Sequence, residues 1–313
     1  MNKSVPVIGF LILAIMAASV LGFATYQAWT SQLVFGVILT VLALGFVFAV
    51  FNESKALSSA KVEGLFGQKN LITLLSVVVG GLVAYALNYN LKLGAVIAAS
   101  VVGLLGGFLV KDYAAPLFCG SFIGMASTKV LPGYGQVLVA GIVAGIVYVL
   151  AMAVFGGFGG KLGTIAVSGV TITGLALAGV FAHPAVPKWN VGWQLLVVSV
   201  VAALASFYLN NNLKQGAVIG SAAVGLVAGI IGKFVPSFAP LATMAICASF
   251  AGMANTKRFP DLWQMGVVGV VVGLVYMFSA PFLGGAGGKL GCIAFGSCLG
   301  VRGVLDVIKP KKA

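Results

Sequence analysis

The chain has 313 residues, 61% of them hydrophobic and 7% charged, with a mean hydropathy of +1.15. A soluble domain carries about 25% charged residues, which excludes water as the main solvent. The net charge of +13 does not point to nucleic acid, because the basic residues stand singly at the ends of apolar runs, where they set orientation and snorkel.

The apolar runs approach the roughly twenty residues that a helix needs to cross hydrocarbon. The short alternating segments of an outer-membrane barrel are missing. The expected fold class is an all-α polytopic membrane protein with about 10–12 transmembrane segments. Helical spans of this kind suit a bacterial inner (plasma) membrane.

Two spans come first, near residues 5–23 and 33–51. The opening stretch, with Lys3 ahead of its apolar run, could pass for a secretory signal. The run is longer than the usual signal core of about 7–15 residues, so a retained helix is expected and residues 1–51 are read as two N-terminal transmembrane helices. A polar linker follows at 52–70, holding Glu53, Lys55, Lys61, Glu63 and Lys69. Its lysines place it in the cytoplasm.

The remainder is duplicated. NLKLGAVI, from Asn90, returns as NLKQGAVI, from Asn212. CGSFIGMASTKVLPGYGQ, from Cys119, returns as CASFAGMANTKRFPDLWQ, from Cys247, and FGGFGGKLGTIA, from Phe155, returns as LGGAGGKLGCIA, from Leu283. Three blocks in one order at near-constant spacing define two units, 71–190 and 191–305, ahead of a basic tail at 306–313. Lys309, Lys311 and Lys312 of that tail can touch acidic headgroups.

Each unit reads as five apolar segments, near 72–87, 93–110, 114–126, 137–155 and 162–182 in the first. In the second they fall near 193–209, 216–234, 238–254, 265–283 and 290–304. The third is short enough to be re-entrant. If all five cross, the units are inverted, as in many transporters; if the third only dips in, they are parallel. Basic residues satisfy the positive-inside trend either way, and the inverted arrangement is the working expectation.

Four glycines of five precede a lysine in both Gly156–Lys161 and Gly284–Lys289. Such a run costs a helix about 1 kcal/mol per glycine, so the chain breaks there. The plain reading is an interfacial turn with Lys161 and Lys289 snorkelling. The functional reading is a solute path, with backbone N–H groups at Gly160, Gly163, Gly288 and Gly291 and charge from Lys161 and Lys289. A phosphate-binding P-loop is rejected, since the spacing differs and no Ser or Thr follows the lysine.

The short segments close on a matched motif, from Ser121 to Thr128 and Lys129 in one and from Ser249 to Thr256 and Lys257 in the other. They permit close helix packing through small residues, or line a narrow polar pore with Lys129 and Lys257 at its entrances. Asn88 and Asn90, matched by Asn210 and Asn212, read as a helix-to-helix turn. Tyr148 and Tyr276 fall at equivalent positions where a buried hydroxyl needs a partner. His183 stands alone, and Cys119, Cys247, Cys292 and Cys298 read as small buried hydrophobes.

No carboxylate falls in mid-segment, which argues against a proton relay, although Na⁺ coupling through backbone carbonyls stays open. No catalytic set, cofactor site or metal cluster is expected. The sequence therefore reads as a transporter or channel for a small solute, an anion or small neutral polar molecule rather than a metal cation, with its path between the units. The partners expected are the lipid bilayer and the solute, with room for a homo-oligomer or a partner membrane subunit, and no nucleic acid. The other reading is a non-transporting scaffold or subunit of a larger membrane complex.

Overall fold

The computed structural model describes residues 4–59 and 67–308. Lys3, Lys61, Glu63 and the tail lysines Lys309, Lys311 and Lys312 lie outside the described residues. Within them every regular element is helical, and the one β-type contact is an isolated bridge between Ala182 and Gly284.

Helices α1 (Ser4–Ser31) and α2 (Leu33–Lys55) form an antiparallel hairpin. The first outruns the expected 5–23 because its polar end supports itself: Thr25 Oγ1 donates to Leu21 O at 2.8 Å and Ser31 Oγ to Gln27 O at 2.8 Å. The expected linker is helical at its start, since α2 continues to Lys55 before a 3₁₀ turn at Ala56–Ser59.

The first unit contributes α3 (Gln68–Tyr85), α4 (Ala95–Leu109), α5 (Ala114–Ile123), α6 (Tyr134–Ala151) and α7 (Lys161–Ala176). The second contributes α8 (Trp189–Phe207), α9 (Ala217–Phe234), α10 (Ala239–Ala251), α11 (Leu262–Phe278) and α12 (Lys289–Ile308). A π-helical turn prolongs α3 through Ala86–Asn90 and α8 through Tyr208–Asn212. Among the described residues 7 helices are long and apolar enough to cross a membrane, and the chain is an integral membrane protein. The five shorter ones are α4, α5, α7, α10 and α11.

Local signals explain the ends. α5 and α10 stop three residues before the expected 126 and 254, with Gly124 and Gly252 as their C-caps. α7 stops well short of 182, where Ala178 takes φ +55° and Gly179 N donates back to Gly174 O at 2.7 Å, the closing bond of a Schellman-type end.

Small residues set the packing. Gly103 lies against Ala222, Gly107 against Ile219, Gly225 against Ser100 and Gly229 against Ile97, so α4 and α9 run antiparallel along two GxxxG faces. Gly120 of α5 sits on the backbone of α3 at Val77. The N-terminal hairpin packs mainly on α12, with Gly45 and Gly303 in backbone contact. Large apolar side chains face outward, as at Phe234 (78% exposed) and Leu44 (66%), which suits lipid.

A β-carbon at Gly120 would fall on the Val77 carbonyl oxygen, which is backbone and cannot turn aside. Gly120→Ala should therefore destabilise the fold by about 1–3 kcal/mol, read as a lower thermal midpoint in detergent. An unchanged midpoint would refute this packing.

Candidate functional site

The glycine runs are the breaks between α6 and α7 and between α11 and α12. Gly157 and Gly160 take φ of +80° and +79°, and Gly285 and Gly288 take +82° and +89°, a conformation that disfavours a side chain. The two loops meet. A β-carbon on Gly163 would lie 2.5 Å from Gly291 Cα, and one on Gly291 would lie 2.6 Å from Gly163 Cα. The first turns of α7 and α12 thus cross with backbone on backbone. Each loop also rides on the short helix of the other unit: Asn255 N donates to Gly157 O at 3.1 Å, and Ser127 N to Gly285 O at 2.9 Å.

The lysines turn inward and do not snorkel. Lys161 Nζ donates to Val154 O at 2.5 Å and Met152 O at 3.4 Å. Lys289 Nζ donates to Ser279 O at 2.7 Å and Ala280 O at 3.2 Å, and Lys289 is 8% exposed. These carbonyls follow the last turns of α6 and α11, where backbone oxygens lack helical partners and the helix dipole is negative. An interfacial turn would have sent both side chains outward; here backbone carbonyls hold them.

Ser121 and Ser249 are buried, and their hydroxyls bond back to Phe118 O at 2.7 Å and Ile246 O at 2.8 Å. Ser249 also pairs with Ser221 at 2.9 Å. Thr128, Lys129, Thr256 and Lys257 are exposed in the turns beyond α5 and α10. The twelve residues singled out by sequence therefore separate into a central glycine–lysine crossing, two buried serines inside the packing, and two exposed Thr-Lys ends.

The asparagines do more than turn the chain. Asn88 Nδ2 donates to Gly124 O at 3.2 Å and Tyr89 Oη to Ala126 O at 2.8 Å. Asn210 Nδ2 reaches Gly252 O at 3.3 Å and Ala254 O at 3.2 Å, and Asn211 Nδ2 reaches Ala254 O at 3.0 Å. They cap the C-termini of α5 and α10 from the π-helical turns. The available signal was their recurrence ahead of Lys92 and Lys214 in both units.

Two cavities lie along α4. The first, of about 370 Å³, is lined by Ala95, Phe122, Met125, Thr243, Phe250, Tyr276 and the loop Gly284–Lys289. The second, of about 510 Å³, is lined by Gly107, Lys111, Ala114, Ala115, Lys214, Ala217 and Val218. α4 touches the first cavity at Ala95 and Val96 and the second at Gly107 and Phe108. α5 touches the second at Ala114 and Ala115 and the first at Phe122, with Met125 just beyond its end. Along α5 between them stands Phe118, whose ring lies 4.5 Å from Phe122 and 6.0 Å from Phe250.

The first glycine loop has a different neighbour. Arg258 pairs with Glu53 of α2 through both terminal nitrogens, at 2.5 and 2.8 Å, donates from Nε to Gly156 O at 2.9 Å and lies 4.1 Å from the Phe158 ring centre. Its own carbonyl accepts from Arg302, which is paired with Asp306. At the corresponding place in the first unit stands Val130, buried. The four cysteines are free and buried, and no group of three or more His, Cys, Asp or Glu suited to a metal occurs among the described residues. No family model, curated protein or solved structure matches the chain.

Lys289→Met should leave the Ala280 carbonyl unpaired and strip the Ser279 carbonyl of its charged donor, at a cost of about 1–3 kcal/mol, seen as a lower thermal midpoint. The exposed Lys257→Met should be silent. Equal midpoints for the two variants would contradict the capping role.

Proposed function

We propose that the protein carries a small solute across a bacterial inner membrane, along a path between two inverted five-helix units. The observation that carries this reading is the pair of cavities. They lie at opposite ends of α4 and α5, and equivalent residues of the two units, Ala95 with Val96 and Ala217 with Val218, line one each. A path joining them passes Phe118, Phe122 and Phe250, which stand as an aromatic barrier of the kind that gates by excluding water.

Inversion is supported by register. α4 and α9 carry the same sequence block and run antiparallel, and the equivalent glycines Gly163 and Gly291 touch. Equivalent residues in contact must sit on the axis that relates the units, so in an inverted pair this crossing lies at mid-depth. Broken backbone is tolerated there only where protein or a cavity covers it, which fits transporters built on interrupted helices.

The described carboxylates are placed elsewhere. Glu53 pairs with Arg258, Asp306 with Arg302 and Asp261 with Gln264, and Asp112 sits in the 3₁₀ turn ahead of α5. Neither cavity has one in its lining, so metal-cation transport finds no support. Lys111 and Lys214 give the second mouth a positive rim.

Two measurements test this. Purified protein in liposomes should admit at least one member of a panel of small anions and neutral solutes in a saturable way; folded protein that passes none would favour the partner-subunit reading. Single cysteines at Lys129→Cys and Lys257→Cys should react with a membrane-impermeant maleimide from opposite faces. Labelling of both from one face would rule out inversion.

A further inference from the structure

We propose that the cavity beside the second glycine loop binds a small uncharged molecule, held by a hydrogen bond to the Tyr276 hydroxyl against the rings of Phe122 and Phe250. This rests on the transport reading and names the class of solute. At about 370 Å³ the cavity stands at the small end of ligand pockets, which span roughly 300–1,000 Å³. Phe122, Phe250, Met125, Pro184 and Pro187 make most of its wall apolar.

Such a wall cannot replace the hydration shell of an ion, whereas a neutral molecule needs only its few polar atoms satisfied. The one charge in the lining is Lys289, and its ammonium is already held by the Ser279 and Ala280 carbonyls at the negative end of α11. Two of the three ammonium donors are spent on those bonds, so an anion would meet a charge already partly offset by the α11 dipole.

Tyr276 supplies what a neutral solute needs. It lines the cavity, and no described residue hydrogen-bonds to its hydroxyl. A largely buried tyrosine ordinarily finds a partner, so the hydroxyl is a donor and acceptor held ready beside the space. Thr243, the other hydroxyl in the lining, already donates to Ala239 O at 3.3 Å. Phe122 and Phe250, with ring centres 4.6 Å apart and planes at 52°, floor the space with two faces on which a flat or compact molecule can lie.

The test uses full-length protein in liposomes, with acetamide and glycerol as neutral probes and nitrate as the anion probe. At least one neutral probe should enter saturably and nitrate should not. Tyr276→Phe, which keeps the ring and removes one hydrogen bond, should raise the half-saturating concentration about five- to tenfold, with maximal rate and thermal midpoint preserved. The outward-facing Leu44→Ala, away from both cavities, should change neither.

Nitrate entry without neutral entry, or an unchanged half-saturation in Tyr276→Phe, overturns this assignment and leaves transport standing. Should no probe enter, thermal stabilisation by acetamide decides the matter. Stabilisation lost in Tyr276→Phe would keep the site and overturn only transport, while its absence in the unsubstituted protein overturns the site as well.

Discussion

The backbone carbonyls at the C-terminal ends of α5, α6, α10 and α11 organise this molecule. A helix leaves its last carbonyls without partners, and in hydrocarbon no water is present to serve them. The donors are Asn88 and Tyr89 for α5, Asn210 and Asn211 for α10, Lys161 for α6 and Lys289 for α11. Each bond nets only about 1 kcal/mol when made, yet an orphaned buried acceptor costs up to about 3. Because every donor belongs to a different helix from the end it serves, satisfying these carbonyls also fixes α3 to α5, α8 to α10, α6 to α7 and α11 to α12.

Small residues make that capping reachable. Side chains as short as asparagine can cap a neighbouring helix only if the backbones nearly touch, and Gly120 and Gly124 bring α5 onto α3 as Gly252 brings α10 onto α8. The same economy operates at the centre, where Gly163 and Gly291 let two helix starts cross. It also decides the electrostatics. A lysine that serves a helix end has given its charge to a dipole and leaves little for a solute, so the residue type that suggested anion attraction produces a nearly neutral lining.

Much of this was legible in the amino-acid order. Composition identified the solvent, and the glycine runs marked breaks that the structure puts between α6 and α7 and between α11 and α12. The direction of Lys161 and Lys289 was not legible, because their partners are backbone oxygens, which every residue carries and no side-chain pattern marks. The π-helical turns escaped for a related reason: a π-helix differs from an α-helix in which carbonyl each N–H reaches, not in hydrophobic pattern. The Arg258–Glu53 pair joins residues 205 apart in the chain and has no counterpart in the other unit, so repetition could not announce it.

That asymmetry distinguishes the two halves. Their glycine loops share a backbone, with matched positive φ at Phe155 and Leu283, Gly157 and Gly285, and Gly160 and Gly288. Around the first loop, Phe10 stacks on Phe155 with ring centres 4.6 Å apart, and Arg258 binds Gly156 O while anchored by Glu53. The N-terminal hairpin thus holds the first loop through a stacked ring and an ion pair, while beside the second Phe23 stacks on Phe282 with ring centres 5.0 Å apart. At the second loop the smaller Leu283 and Val130 stand where Phe155 and Arg258 stand at the first, and the loop borders open space at Tyr276. The two loops share a backbone conformation, and the side chains around them differ: an ion pair and a stacked ring brace the first, and a cavity borders the second.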